Sequence, residues 1–462
     1  NNDLDDVDLI NNTKALALKA QTTESRSLDL PLELLVEIFS HTVSGENAVT
    51  PYLLGKICRE WRALVFDSCS LWQVLELKLE PNRDTQLSLL EEWVSRAGIL
   101  PLTVIICYQA CAGPSEGSKR PRAGLLKPIL SLPSTRVSSL SLANLPWGFF
   151  FALSGANPVG SWPTLSHLHL SSSDTDQDAD GAAVDIFGEL PALRSVSIED
   201  LYVLQIILPW SQLLHLRLEG ILPYELSGAL ERATNLLTLS VFSIYPSAAE
   251  PLPCTHRTLQ YLTFSNDNNN QSTLFNSLRL PGLTNLALQL GHQKYLMSNG
   301  KERPLKFEIY PFLSDSGCQL TDLSIDNAAL TEPQIIGCLS ILPSLRTLRL
   351  SNNKWYDEEE GDFLPMGPDL LRFMTSSSSA QQPILPGLEQ LTFVGSRVAF
   401  SPDVSMGGRG ALLERSTISL QTVVFNFTGL AWAHSSDEQE LIVEEWKGRG
   451  FSVEIERASL HK

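Results

Sequence analysis

The sequence is poor in long apolar runs and in basic residues, and each deficit excludes a class of protein. No run of about 18 or more apolar residues occurs, so no membrane-spanning helix is expected. The chain has 34 Lys and Arg against 52 Asp and Glu residues, a formal net charge of −18. Proteins that bind nucleic acid or anionic membranes need a basic surface. The sequence therefore predicts neither of these partners.

Cysteine is scarce and scattered. The chain holds seven cysteines in 462 residues, and Cys107 and Cys111 form the one close pair in the sequence. A secreted disulfide framework is denser and more regular, and a zinc site needs further ligands beside such a pair. We therefore expect free thiols in a reducing compartment, the cytoplasm or the nucleus or both.

The motifs of the common catalytic classes are missing as well. No P-loop, no G-x-S-x-G elbow and no credible Cys/His pair is present, so we expect no enzyme activity and no cofactor. Residues 176–181 have the D-x-D-x-D-G pattern that begins an EF-hand loop. Because Phe187 stands where that loop needs a bidentate Glu, we interpret the segment as a solvated insertion whose Asp residues cap a helix at about 182–189.

Three histidines raise the question of a metal site. His167 and His169 share the outward face of one expected strand, and His215 lies on an expected strand further along the chain. Imidazoles are common metal ligands, but a mixed polar recognition surface is the preferred interpretation. No metal is predicted.

What the sequence has in abundance is apolar surface on its first clear helix. In LDLPLELLVEIFSHTV, residues 28–43, apolar side chains cover about 200° of a helical wheel, whereas a surface helix needs a stripe of about 100°. Asp29 before Pro31 is a favourable start signal for a helix. A helix with so wide an apolar arc is expected to pack against two partners.

Two shorter segments follow this helix. YLLGKICREWRALVFDS comes after Thr50 and Pro51 and repeats apolar residues at helical spacing, and CSLWQVLEL closes the unit. Three short helices in about 45 residues are too few to form a strong core alone. We therefore expect the unit to dock on something else.

These segments resemble the F-box. LPLELLVEIF, LLGKICREWRAL and LWQVL stand in the order and spacing of that family's pattern. The resemblance implies helices that bind a Skp-type adaptor and, through it, the cullin and RING subunits of a ubiquitin ligase. The implied adaptor-binding residues are Leu30, Pro31, Leu34, Leu35, Ile38, Phe39, Leu53, Leu54, Ile57, Cys58, Trp61 and Trp72. Some of the last six are expected to hold the F-box itself together.

The rest of the chain repeats a different pattern. L-x-x-L-x-L, with V, I or F allowed, begins at residues 137, 165, 193, 213, 236, 259, 283, 320, 345, 388 and 420. Most steps lie near the leucine-rich-repeat range of about 20 to 29 residues. LWQVLELKL and LPLTVIICY look like degenerate copies that join the F-box to the array. Between copies, segments such as EPQIIGCLSILPS have the apolar spacing of a helix.

The expected fold class is α/β: a short N-terminal three-helix F-box, then an irregular leucine-rich-repeat solenoid. Such a solenoid has a parallel sheet on its concave face and helices and loops on its convex face. We expect a polar acidic tail at 1–26, the F-box at 27–76, degenerate linking repeats at 77–130 and the solenoid at 131–458. The blocks EEWVSRAGILPLTV and PFLSDSGCQLTDLSI also resemble F-box/leucine-rich-repeat proteins of mushroom-forming fungi.

Alternate residues of each strand face outward, and those on the concave face are candidates for binding a protein substrate. They are His167, His169, Ser197, Glu199, His215, Arg217, Glu219, Phe242, Tyr261, Thr263, Asp322, Asp326, Arg349 and Ser351. Phe242, Tyr261 and Arg217 have residue types that often carry binding energy at interfaces.

The resemblance implies a non-catalytic substrate receptor of a Skp–cullin–F-box ubiquitin ligase. Two other interpretations stay open. One is a scaffold that binds the adaptor and recruits no cullin. The other is an enzyme regulator built on a leucine-rich-repeat solenoid, which does not need an F-box.

Overall fold

The computed structural model describes the chain in segments. They are residues 30–44, 50–79, 86–108, 129–155, 160–173, 183–247, 249, 251–266, 271–290, 294–296, 302–304, 309–326, 330–352, 370, 373, 385–395 and 422–427. The tail expected at 1–26 and the segment 176–181 lie outside them. The chain divides into two compact units, Asn1–Asp174 with Val184–Leu193 and Thr175–Ala183 with Arg194–Lys462.

The first unit begins with helices and continues with parallel strands. Its helical part has α1 (Leu32–Ser44), α2 (Pro51–Leu54), α3 (Arg59–Asp67) and a 3-10 turn at Cys69–Trp72. Its other elements are β1 (Val74–Leu79), α4 (Gln86–Arg96), β2 (Leu102–Tyr108), β3 (Val137–Leu145), α5 (Trp147–Gly155) and β4 (His167–Ser172). The strands β1 to β4 pair in parallel, each with the next in sequence.

The second unit also alternates strands with helices or loops. Its larger elements are β5 (Ser195–Glu199), β6 (His215–Ile221), α6 (Pro223–Arg232), β7 (Thr238–Ile244), β8 (Cys254–Thr255), β9 (Tyr261–Asn266), α7 (Gln271–Ser277), β10 (Leu278–Arg279), β11 (Asn285–Leu290), β12 (Lys294–Leu296), β13 (Glu302–Pro304), α8 (Tyr310–Ser316), β14 (Asp322–Asp326), α9 (Glu332–Ser340), β15 (Thr347–Asn352), β16 (Gln390–Gly395) and β17 (Thr422–Phe427). Two 3-10 turns lie at Val203–Gln205 and Trp210–Gln212.

The strands of the second unit are mostly parallel and lie in sequence order. Strands β5, β6, β7, β9, β11, β14, β15, β16 and β17 pair each with the next. The short strands β8 and β10 pair in parallel with each other, and β12 and β13 form an antiparallel pair.

Every copy of the repeat motif lies on one of these parallel strands. The copy that begins at 137 starts β3. Each later copy begins two residues before its strand and continues into it, as at 213 for β6. The two degenerate copies give β1 and β2. The expectation of an α/β fold with a large parallel sheet is therefore confirmed.

The motif leucines form the core because a strand points alternate side chains to opposite faces. In β6, Leu216 and Leu218 are buried, and the register sets them beside Leu239 and Val241 of β7. Burying a side chain of this size contributes about 1.5–3 kcal/mol relative to leaving it in water. Adjacent strands thus contribute neighbouring side chains to one continuous apolar face.

A connecting helix forms where the spacing of apolar residues predicts it. In α9, from EPQIIGCLSILPS, Ile335, Cys338 and Leu339 are buried on one side. Steps of three and four residues bring these side chains to one helical face. The helix predicted from this segment is confirmed.

The helix expected at about 182–189 is wrong. Residues 183–190 are extended and bent, with Val184, Ile186 and Phe187 buried. Phe187 packs edge-on against Trp162, with ring centroids 5.8 Å apart. Packing of these apolar side chains within the first unit outweighs the local helix signal.

Candidate functional site

Helix α1 has one buried and one exposed apolar face. Leu35, Phe39 and Val43 recur at four-residue steps and are buried. Leu34 and Ile38 are 51% and 50% exposed. The wide apolar arc read from the sequence is therefore divided, and its second half meets solvent in the chain alone.

The buried face packs on the following helices. The ring of Phe39 lies against Trp61, with centroids 4.6 Å apart, and Leu54 of α2 is buried as well. At the start of α3, the Sγ atom of Cys58 accepts a hydrogen bond from the backbone N–H of Trp61. These contacts give the three helices a small common core.

Four of the residues assigned to adaptor binding belong to this interior. Leu35, Phe39, Leu54 and Trp72 are each at most 8% exposed, so their side chains hold the helices together rather than face a partner. Burial inside the chain corrects the assignment of Leu35 and Phe39, whereas Leu54 and Trp72 belong to the six residues of which some were expected to hold the helices together. Among the other candidates, Pro31 and Cys58 are exposed and Trp61 is half-buried.

The exposed apolar residues of the helical part form what we call the apolar helix surface. It comprises Leu30, Leu32, Leu34, Ile38, Leu53 and Ile57, with exposures from 37% to 61%. These are six of the twelve large apolar or aromatic side chains that are exposed in the described part of the chain. Such a concentration is typical of a protein-binding surface. Leu32 is not among the residues that the F-box resemblance implies, although it adjoins Pro31 within LPLELLVEIF.

Two tryptophans join the helices to the first strand and to α4. The indole Nε1–H of Trp72 donates to the carbonyl of Val65 at 2.8 Å, and that of Trp93 donates to the carbonyl of Trp72 at 2.7 Å. The two rings meet edge to face at 4.9 Å. The helical part is thereby fixed to the sheet of the first unit.

Charged side chains surround this aromatic group. Arg96 lies over the ring of Phe66 at 4.1 Å and donates to the carboxylate of Glu92 at 2.7 Å. The hydrogen bond from Arg96 lowers the pKa of Glu92, while burial and the neighbouring Glu92 carboxylate raise the pKa of Tyr52. The outer side of the junction is thus tied by polar contacts.

The outward residues of the second unit form three rows across its strands. One row has His215 beside Thr238 and then Tyr261, and the next has Arg217 beside Ser240. In the third row, at the carboxyl ends, Glu219 lies beside Phe242. Residues that are far apart in sequence are therefore neighbours on this face.

At the carboxyl ends of β5, β6 and β7 several candidates touch. Arg217 donates to Glu219 at 2.8 Å, and its guanidinium lies 4.0 Å from the centroid of the Phe242 ring. Glu199 is in register with Glu219. The structure thus brings four predicted residues into one group.

Two residues of this group were missed by the sequence analysis. Asp200 follows Glu199, and its Oδ1 accepts a hydrogen bond from the hydroxyl of Tyr245 at 2.6 Å. Both lie just beyond their strands, outside the alternation used to choose candidates. We call Glu199, Asp200, Arg217, Glu219, Phe242 and Tyr245 the acidic patch.

A repeated backbone turn builds the acidic patch. Asp200, Gly220 and Ser243 each follow the third-row residue of their strand, and their φ angles are 52°, 64° and 53°. Left-handed conformations are uncommon outside glycine. A fixed spacing in the sequence could have revealed this turn. Asp200 and Gly220 each stand at the same distance from the start of their motif copy, at 193 and 213.

The remaining substrate candidates are not members of the patch, although Ser197 is in register beside Arg217. On β4 of the first unit, His167 is exposed and His169 half-buried. In the second unit Ser197, Tyr261, Thr263, Asp322, Asp326 and Arg349 stand on outward positions of their strands. Ser351 is only 3% exposed, so its assignment to a binding surface is wrong because its side chain is enclosed.

The comparisons with known proteins give no relative. No protein-family profile matches the chain, and no curated protein is significantly similar to it. Within the described residues, no three His, Cys, Asp or Glu side chains are grouped so as to hold a metal ion. No helix in the same residues is long and apolar enough to cross a membrane.

Proposed function

We propose that this chain is a substrate receptor of a Skp–cullin–F-box ubiquitin ligase. The observation that carries the proposal is the apolar helix surface on helices whose sequence resembles the F-box. Leu34 and Ile38 face solvent although the same helix already has a complete buried face. A second apolar partner would remove this surface from water, and a Skp-type adaptor is the partner that the motif implies.

The second part of the proposal is that the parallel strands are leucine-rich repeats of an irregular solenoid. Eleven motif copies at mostly similar steps, each on a parallel strand, support it. Repeats of this kind offer an extended surface of outward side chains for a protein partner. In this account the acidic patch and its neighbours form the substrate face.

The chain would then act by proximity rather than by its own chemistry. Holding a substrate near a ubiquitin-charged enzyme raises the effective concentration of one for the other. The hydrogen bonds of Trp72 and Trp93 support this role, because they fix the adaptor-binding helices to the first strands. In this proposal catalysis belongs to the partner subunits, and the chain itself needs no cofactor.

Reconstitution tests this proposal. The full chain is mixed with a Skp adaptor, and then with the adaptor and a cullin–RING pair, and the masses are measured by light scattering after gel filtration. The expected results are a one-to-one complex in the first mixture and one complex of all the subunits in the second. A chain that elutes alone contradicts the proposal. A complex with the adaptor that excludes the cullin would favour the scaffold interpretation instead.

A further inference from the structure

The acidic patch has more negative than positive charge. Glu199, Asp200 and Glu219 supply three carboxylates, and Arg217 supplies one guanidinium. That guanidinium is already bound to Glu219 and stacked on Phe242. The patch therefore keeps a net negative charge that its own arginine does not balance.

The neighbouring groups respond to this negative charge. Burial raises the pKa of Glu199, and the charges of Glu219 and Asp200 raise it further while Arg217 opposes them. The hydrogen bond to Asp200, with burial and the same carboxylates, raises the pKa of Tyr245 to about 12. The field at the carboxyl ends of these strands thus favours an additional cation.

Aromatic rings border the carboxylates. Tyr245 is 40% exposed, and Phe242 stacks with Arg217 on the same face. Guanidinium and ammonium groups bind carboxylates through charge-assisted hydrogen bonds and also lie favourably over aromatic rings. A basic side chain would find both kinds of contact here, and oppositely charged surfaces steer partners together.

We propose that the acidic patch binds a basic segment of the substrate protein, with an arginine or lysine side chain between the carboxylates and the Tyr245 ring. This inference rests on the proposed function, because it gives the substrate face of the receptor a partner of defined chemistry. The segment pairs with Glu199 and Asp200, while the Arg217–Glu219 pair stays in place beside it.

Peptide binding to the full chain tests the inference. The probes are fluorescein-labelled peptides that alternate glycine with arginine or glycine with lysine, and a matched peptide with glutamine in place of each basic residue. Binding is followed by fluorescence anisotropy at low salt, where charge pairing is least screened. We expect a basic peptide to bind and the glutamine peptide not to bind.

Two double variants locate the site. Glu199→Gln with Asp200→Asn removes two charges but keeps the acceptor oxygen for the Tyr245 hydroxyl, and it is expected to weaken binding about tenfold. Glu231→Gln with Glu389→Gln removes two charges from the same unit at residues that are not substrate candidates, and it should leave the affinity unchanged. Equal loss in both variants would assign the binding to the overall charge of the chain and overturn the inference. Absence of binding by the wild type would overturn it too.

A third variant separates this inference from the proposed function. Leu34→Asp with Ile38→Asp is expected to abolish adaptor binding while peptide affinity stays the same. Failure of the peptide to bind a chain that still binds the adaptor refutes the acidic patch alone. Failure of the adaptor to bind a chain that still binds the peptide refutes the ligase role alone.

Discussion

The indole Nε1–H of Trp93 donates to the backbone carbonyl of Trp72 at 2.7 Å, and both side chains are buried. This bond joins α4 to the 3-10 turn that follows helices α1 to α3. Because the Trp72 indole in turn reaches the carbonyl of Val65, the two bonds form a chain from α3 to α4. The helices α1 to α3 and the first strands therefore form one packed structure.

Replacing Trp93 by Phe tests the energetic part of this junction. Trp93→Phe keeps an aromatic ring but leaves the Trp72 carbonyl without its donor, and we expect the free energy of unfolding to fall by about 1–3 kcal/mol. Urea unfolding followed by circular dichroism measures the change. Trp162→Phe is the matched control, since the buried Nε1 of Trp162 has no hydrogen-bond acceptor in the structure. A loss as large in the control would show that ring size, not the hydrogen bond, determines the effect.

Gly220 is a position where an added methyl group should distort the acidic patch. Its φ is 64°, and a Cβ there would overlap the carboxylate of Asp200. We expect Gly220→Ala to cost about 2 kcal/mol or more, from left-handed strain and the displaced Asp200. Gly317 has a φ of 59° and open space around it, so Gly317→Ala should cost only about 1 kcal/mol. Equal losses in thermal or urea unfolding would contradict the close approach of Gly220 to Asp200.

Glu225 makes a pH-dependent contribution to the stability of the second unit. It is buried at the start of α6, where its carboxylate accepts a hydrogen bond from the backbone N–H of Leu222. Burial raises its pKa, opposed by backbone hydrogen bonds from Leu222, Leu204 and Val203. Because the folded chain then holds this proton more tightly than the unfolded chain, stability decreases as the pH rises from about 4, near the unfolded pKa, to above the folded one.

The Glu225→Gln variant measures that contribution. The free energy of unfolding of the wild type, relative to the variant, should decrease as the pH is raised from about 4 to about 7. Glu231→Gln, an exposed carboxylate on the same helix, controls for the loss of one charge. A relative stability of wild type and Glu225→Gln that increases with pH would contradict the raised pKa.

Strand positions were predictable because the core leucines repeat with a fixed local pattern. In LLHLRL the alternation alone sets Leu216 and Leu218 inward and Arg217 outward. The helix α1 was predictable for the same reason, since its apolar spacing is strong over several turns. The failure at 182–189 has the opposite cause: the contact between Phe187 and Trp162 joins residues 25 apart in sequence, and no local pattern contains it.

The candidate sites were predictable only in part. A helical wheel identifies a wide apolar arc on α1, but it cannot decide that Leu35 turns inward and Leu34 outward, because that depends on where Trp61 packs. Likewise strand alternation identifies Glu219 and Phe242, whereas Asp200 and Tyr245 come together only through the turns that follow β5 and β7. Site residues that lie beyond the regular elements can be identified only from the tertiary structure.

The most direct test of the account is a calorimetric titration of a Skp adaptor into the full chain and two variants. Leu34→Asp with Ile38→Asp places charges on the apolar helix surface, and Ile207→Asp with Leu252→Asp places them on exposed apolar residues of the second unit, 50% and 61% exposed. The account predicts one-to-one binding by the wild type and the second variant, and affinity at least about a hundredfold weaker for the first. Circular dichroism should give the same helical content for all three chains. Equal affinity in all three, or no binding by the wild type, would contradict the claim that the exposed face of α1 binds the adaptor.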